Sequence, residues 1–156
     1  MILTSLPYRT AVFSALKGNV KYQNKNVGVF EEYFMPTTGN DKAILTGNVE
    51  AYIILLNQTS NEAQSNKCNR TNNDSIQIQI NTVWPASKGG SKIAEEIANI
   101  VLGLLFGDSV KNTDLTIPNM DIWKSELLSS RNMNYDGTSS RTWVCQLVLE
   151  SYISQY

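Results

Sequence analysis

Between Ser75 and Gly107 the hydrophobic pattern changes period once. Ile76, Ile78, Ile80 and Thr82 alternate with Gln77, Gln79 and Asn81, a period of two that predicts a strand with one apolar and one amide face. Pro85 ends it, because proline cannot donate to a ladder. Gly89 and Gly90 make a turn, and Ser91 is a suitable N-cap. Ile93, Ala94, Ile97, Ile100, Val101, Leu104 and Leu105 then recur at three- and four-residue spacing, the stripe of an amphipathic helix. Glu95 and Glu96 lie in its first turns, where the helix dipole favours acid, and Gly107 is placed as the C′ residue.

The rest of the chain is arranged about this unit. Thr4–Leu16 predicts a helix that Thr4 or Ser5 can cap, with Pro7 in its first turn. Leu6, Val12, Phe13, Ala15 and Leu16 form its apolar face, and Gly18-Asn19 ends it. Gly28–Phe34 predicts a first strand, with Val20–Tyr22 as an extended lead-in and Pro36–Lys42 as a turn-rich loop. Val49–Asn57 predicts a second strand. Ile53, Ile54, Leu55 and Leu56 make both of its faces apolar, as in a strand covered on two sides. Gln58–Asp74 is almost purely polar and reads as a long loop, or else as the extended tip of a hairpin. Asp108–Met120 is a loop containing Pro118. Asp121–Ser129 reads as a strand, with a short helix still open. Ser130–Ser140 is a polar connection carrying the turn dipeptide Asp136-Gly137. In Arg141–Gln155, Trp143, Cys145, Leu147 and Leu149 share one strand face, and Val144, Gln146, Val148, Glu150 and Tyr152 the other.

The expectation is a single α+β domain over residues 1–156. It is an antiparallel sheet of about five strands with two helices packed on one face, in the order α-β-β-β-α-β-β, with long polar loops at 58–74 and 130–140.

Composition narrows the chemistry more than the fold. A chain of 156 residues can bury a core without staples. Charged residues make up 17%, below the usual quarter, with Asn, Ser, Thr and Gln in their place. That surface suits dense subunit contact, and it equally suits an AT-rich coding sequence. A net charge of −1 leaves no basic footprint for nucleic acid or an anionic membrane. With no histidine, Ser–His–Asp and Cys–His catalysis, histidine metal ligation and a pH switch near neutrality are excluded. Cys68 and Cys145 make neither a disulfide framework nor a zinc site, although a single bridge between them stays open. No run reaches the length needed to span a membrane, and the N-terminal residues lack the pattern of a signal peptide. The acceptor triplets at Asn57, Asn69 and Asn73 are therefore expected to be chance matches, and synthesis in a cytoplasm is expected.

Each polar cluster has an ordinary reading. Lys88-Gly89-Gly90-Ser91 precedes a helix but lacks the Walker spacing, which leaves a turn and cap. Glu95 and Glu96 are adjacent and point apart around the helix, so they cannot act as a facing pair. Asp108, Asp114 and Asp121 lack calcium-loop spacing. Trp84, Trp123 and Trp143 could stack on bases, but without clustered Lys or Arg they read as core or interface. Arg131 and Arg141 flank the last hairpin and read as surface charges. No nucleophile–base constellation emerges, so the expectation is no enzyme and no catalytic, cofactor-binding or metal-binding residue.

The order of elements is similar to that of the tail-terminator or tail-completion (neck) proteins of tailed bacteriophages. The stretches that carry it are the N-terminal helix SLPYRTAVFSALKGNV, the alternating strand running into Val83-Trp84, the short Gly/Ser turn, the helix SKIAEEIANIVLGLLF, and the closing pair ending RTWVCQLVLESYI. The resemblance implies a non-enzymatic virion protein, made in a bacterial host cytoplasm. It implies a homo-oligomeric ring, six-fold or twelve-fold, at the portal, neck or tail junction, where it terminates or connects the tail. The partners implied are copies of itself and neighbouring portal, neck or tail proteins, with DNA only as passing channel content. The long polar segments depart from the usual pattern, and no functional residue carries over from the family. An alternative from another class is a small α+β adaptor that binds a peptide or protein by its sheet edge.

Overall fold

The computed structural model describes residues 4–31, 45–46, 49–65, 70–83, 90–107, 115–136 and 141–155. Among these, the elements run α1 (Ser5–Leu16), β1 (Lys21–Tyr22), β2 (Lys25–Asn26), β3 (Gly28–Phe30), β4 (Leu45–Thr46), β5 (Val49–Ser65), β6 (Arg70–Val83), α2 (Ser91–Phe106), β7 (Met120–Asp136) and β8 (Arg141–Gln155). The fold is α+β. Its sheet is ordered β3-β5-β6-β8-β7, with β4 also on β5, and α1 and α2 pack on one face of it.

The isoleucine alternation does what its period requires. Ile76, Ile78 and Ile80 are fully buried, and their cross-strand partners Leu149, Leu147 and Cys145 are buried beside them. Ala94, Ile97, Ala98, Val101 and Leu105 of α2 and Tyr8, Val12 and Leu16 of α1 close this core from the helix side. At about 25 cal/mol per Å² of apolar surface removed from water, each buried isoleucine, leucine or valine among them contributes about 1.5–3 kcal/mol. Ile54 and Val144 are also buried, on the face away from the helices, in keeping with the doubly apolar character of Val49–Asn57.

Four local readings are corrected. First, β3 runs parallel to β5, with Val29 opposite Ile53, while the other pairs in the sheet are antiparallel. Parallel neighbours need a connection of about a dozen residues or more, and 31–48 is long enough to provide one. Of the expected Gly28–Phe34 strand, residues 32–34 lie outside the described residues.

Second, the polar stretches 58–74 and 130–140 are largely strand. β5 continues to Ser65 and β6 starts at Arg70, so the hairpin-tip reading holds, and β7 continues to Asp136. Asp121–Ser129 is thus part of a strand and not a helix. Here β6 is hydrogen-bonded on both sides, by β5 and β8. The backbone ladder is satisfied whatever the side chains are, and a hydrophobicity pattern does not register that.

Third, Val20–Tyr22 leads into a small hairpin rather than an open extension. Lys21 pairs with Asn26 and Tyr22 with Lys25, and Gln23 and Asn24 turn between them at φ 50° and 62°. Two successive positive φ values are those of a two-residue type I′ turn. The Gln-Asn pair lacks the glycine that usually signals one.

Fourth, the helix caps differ. Gly90, at φ 94°, holds the N-cap position of α2, and Ser91 is an exposed first-turn residue. The Gly90 carbonyl accepts from the Ala94 N–H and from the buried Thr82 hydroxyl, each at 3.1 Å. At α1, Thr4 is the N-cap residue, but its hydroxyl makes no capping bond.

Candidate assembly surface

The residues singled out above for their chemistry are dispersed. Lys88, Gly89, Trp84, Cys68, Asp108 and Asp114 lie outside the described residues, as does the Arg141 side chain. Glu95 and Glu96 fall in the second turn of α2 and serve as tethers. Glu96 accepts from the Tyr22 hydroxyl at 2.6 Å, and Glu95 from the Asn132 amide at 2.5 Å. These bonds fix the small hairpin and β7 to the helix. Asp121 and Arg131 are exposed on β7. Cys145 is a buried free thiol, raised in pKa by burial and then by the charge of Glu95. Among the described residues, no group of three or more His, Cys, Asp or Glu is placed to hold a metal, and no helix is long and apolar enough to cross a membrane.

Two features were not legible beforehand. One is a buried polar cluster beyond the isoleucines. A bulge between Leu56 and Gln58 shifts the register of β5. It places Gln58 and Ser60 opposite Ile76 and Asp74, and so toward the helices. There the Gln58 amide donates to the Ser5 carbonyl. The Asn72 amide donates to the Thr4 hydroxyl at 2.9 Å, and Ser60 lies 3.3 Å from Thr4. Ser151 donates to the Tyr8 hydroxyl at 2.9 Å and lies 2.6 Å from Ser125. Thr4, Tyr8, Asn72, Asp74, Ser125 and Ser151 are all buried.

Asp74 is 0% exposed. The Ser60 and Thr4 hydroxyls face its carboxyl, yet neither carboxylate oxygen is in full hydrogen-bond geometry. Burial lifts its pKa above the ordinary carboxylate value, against a smaller lowering by those hydroxyls. Burial likewise pushes Tyr8 up to about 12. The Ser151 hydrogen bond opposes this, and the charges of Asp74 and Glu150 add to it. A buried acid beside a neutral phenol could suggest proton transfer. Both groups are closed off from solvent, however, so what the cluster does is anchor the start of α1 to the β5–β6 hairpin.

The other feature is the outer edge of β7, a strand of 17 residues at the end of the sheet. Its ladder with β8 carries two bulges, between Ile122 and Lys124 and between Leu127 and Ser129. The extra residues are Trp123 and Leu128, which are 58% and 51% exposed. Each bulge re-aims one large apolar side chain into solvent. Trp123 leans on Tyr152, with ring centroids 4.9 Å apart, and Lys124 lies over the same Tyr152 ring and pairs with Glu126 at 3.2 Å. Leu127 is on the helix side, where it closes a shallow apolar groove of about 240 Å³ with Leu102 and Phe106. A larger open cleft of about 610 Å³ lies between α1 and the segment 115–118, beside Leu6, which is 69% exposed. Neither depression contains convergent polar groups of the kind a small-molecule site requires. The signal for the edge was present in part, since Trp123 and Leu128 are visible in the sequence. Their projection depends on bulges that only the pairing reveals.

No family model matches the chain, and no curated protein sequence matches it either. Among solved structures, a chain described as "Virion of native gene transfer agent (GTA) particle" has the same fold. The TM-score is 0.65 at 16% identity, over 97% of this chain and 96% of that one.

Proposed function

We propose that this chain is a non-enzymatic structural subunit of a phage-like virion, one that forms a homo-oligomeric ring at the portal, neck or tail junction and terminates or connects the tail. The observation that carries the reading is the end-to-end likeness of fold to a chain from a gene transfer agent virion. It covers nearly all of both chains, so the likeness runs from end to end of this sequence and is not confined to a common fragment. An element order similar to that of tail terminators points the same way, as does a surface polar by amides and hydroxyls rather than by charge. A ring needs heterologous contacts that close on rotation. A subunit with a long open sheet edge and projecting apolar side chains has material for them. A mildly acidic ring could also line a DNA channel without holding the DNA, because like charge weakens binding. Its partners would be copies of itself and neighbouring portal, neck or tail proteins, and its place the virion, after synthesis in a host cytoplasm.

The open edge of β7 also favours the second reading, an adaptor that takes up a peptide strand from a different protein. Native mass spectrometry across a concentration series, with negative-stain imaging, separates the two. The ring reading expects a single closed oligomer, six-fold or twelve-fold, seen as annular particles. A strict monomer at all concentrations, absent also from purified particles, would rule it out.

A further inference from the structure

We infer that the small β1–β2 hairpin, with Lys17 at its foot and Lys21 and Lys25 on its strands, contacts the phosphate backbone of duplex DNA. The inference rests on the ring reading for its setting, a duplex passing through the channel, and names the part of the subunit that meets it.

The overall charge of −1 is unevenly distributed. Arg9, Lys17, Lys21 and Lys25 are the charged side chains of residues 1–30, and Glu31 is the first acid. The rest of the sequence is acidic in balance, since the net charge is −1 although its first 30 residues are wholly basic. Arg9 is engaged, donating to the Leu55 carbonyl at 2.7 Å. The three lysines follow at four-residue intervals, and all are exposed. Lys92, Lys124 and Arg70 each lie within 4.0 Å of a carboxylate, whereas Lys17, Lys21 and Lys25 have no such partner among the described residues. Lys17 instead lies 5.2 Å from the centre of the Phe13 ring. Glu96, which the hairpin reaches through the Tyr22 hydroxyl, is shared with Lys92 at 4.0 Å.

The fold presents these lysines on a fixed support. Val20 and Val27 are buried at the root of the hairpin, and the Val27 N–H donates to the Val20 carbonyl at 2.9 Å. The bond from Tyr22 to Glu96 ties the body of the hairpin to α2. Between the two valines Tyr22 is half-buried, and every other side chain is an exposed lysine or amide. Lys21 pairs with Asn26 and Lys25 with Tyr22, so the ribbon carries a cation on each face.

The chemistry of this surface selects its occupant. Exposed cations without acids complement a polyanion. A protein partner would meet an apolar anchor, and the hairpin exposes none. A single strand of nucleic acid is held by stacking on aromatic side chains, and the one ring here, Tyr22, is half-buried and bonded to Glu96. A duplex backbone requires neither, because lysines and amide donors hold it without reading bases. Lysine is a flexible point charge and tolerates a phosphate that moves past it. At a slope of about −0.9 per phosphate, three contacts give an affinity that falls about 40-fold between about 50 and 200 mM salt. The acidic remainder of the subunit repels the duplex, so the hairpin steadies it without gripping it.

The test uses the full-length chain and a short mixed-sequence duplex followed by fluorescence anisotropy. Wild type is expected to bind at low salt and to weaken at least tenfold between about 50 and 200 mM NaCl. The triple variant Lys17→Gln, Lys21→Gln, Lys25→Gln is expected to bind at least tenfold more weakly with unchanged circular dichroism, since all three side chains are in solvent. A control of equal net charge, Lys92→Gln, Lys124→Gln, Arg131→Gln, is expected to bind within about twofold of wild type, as backbone contacts are local. Equal losses in the two variants overturn the assignment, because net charge alone would then govern binding. Polyglutamate bound as tightly as the duplex, or no binding of the duplex at the lowest salt, overturns it as well. Native masses of the same preparations keep the two readings apart. A ring that ignores the duplex leaves the ring standing without this contact, and a monomer that binds through the three lysines overturns the ring and leaves the contact.

Discussion

The helix-facing side of the sheet is built in two halves from different materials. Near the Gly90 turn it is paraffin-like, with Ile76, Ile78, Ile80, Leu147, Leu149 and Cys145 against the isoleucines, alanines and leucines of α2. Toward the β5–β6 hairpin tip the same strands turn polar, with Asn72, Asp74, Ser125 and Ser151 against Thr4 and Tyr8 of the first helix. Both halves are buried, and they do different work. The apolar half stabilises through area and is indifferent to direction. The polar half contributes little net free energy per bond. It does specify geometry, because a one-residue slip would leave its hydroxyls and amides buried without partners. It is where the long hairpin and the start of α1 are held in register, and so where the shape of the distal half of β5 is set.

Substitutions in the two halves should separate these roles. The largest effect is expected for Ile78→Ala at the centre of the apolar half. Removing a buried branched side chain costs about 2–5 kcal/mol through lost transfer energy and the cavity left behind, and urea unfolding should show it as a lower midpoint with an unchanged slope. Ser151→Ala in the polar half should cost less, about 1–3 kcal/mol. It deletes few atoms but strands the Tyr8 hydroxyl and the Ser125 hydroxyl among buried neighbours. If the serine costs as much as the isoleucine, the two halves do not differ as described.

Asp74→Asn should act in the opposite direction. The folded chain holds the Asp74 carboxyl above its ordinary pKa because of burial. Folding therefore favours the protonated form, and this stabilising contribution is present below the unfolded pKa and lost as pH rises through the folded one. At pH 7 the charged form is penalised, so the asparagine variant should be as stable as wild type or more so, by about 1 kcal/mol. That advantage should shrink toward pH 4. Urea unfolding at several pH values checks both the sign and the slope, and a variant much weaker at pH 7 would mean that the carboxylate is partnered after all. The smallest effect belongs to Lys124→Ala on β7, whose pair with Glu126 is solvent-exposed. Exposed pairs of this kind contribute little to stability, so a thermal midpoint within a degree or two of wild type is expected.

Much of the element order was legible because burial on one face imposes a period. Ile76–Ile80 and Ile93–Leu105 announce a strand and a helix by spacing alone, and the last strand was delimited at Arg141–Gln155 just as it is observed. The reading weakened wherever burial was polar. Asn72, Asp74 and Ser60 looked like loop residues because nothing in their local pattern shows that a second layer, Thr4 and Tyr8, will cover them. The small hairpin at Gln23-Asn24 was hidden for another reason. Its turn needs two positive φ values, and neither residue type announces them as glycine would.

By itself, then, the sequence determined the class of the fold, the apolar core and the absence of any chemistry that requires histidine. These follow from composition and from periods set by local backbone geometry. Only the tertiary structure decided that β3 runs parallel to β5, that the polar stretches are paired strand, and that bulges aim Trp123 and Leu128 out of the edge. Each of these depends on which strand lies alongside which, and in what register. That is a property of contacts between residues far apart in the chain, and no local pattern encodes it.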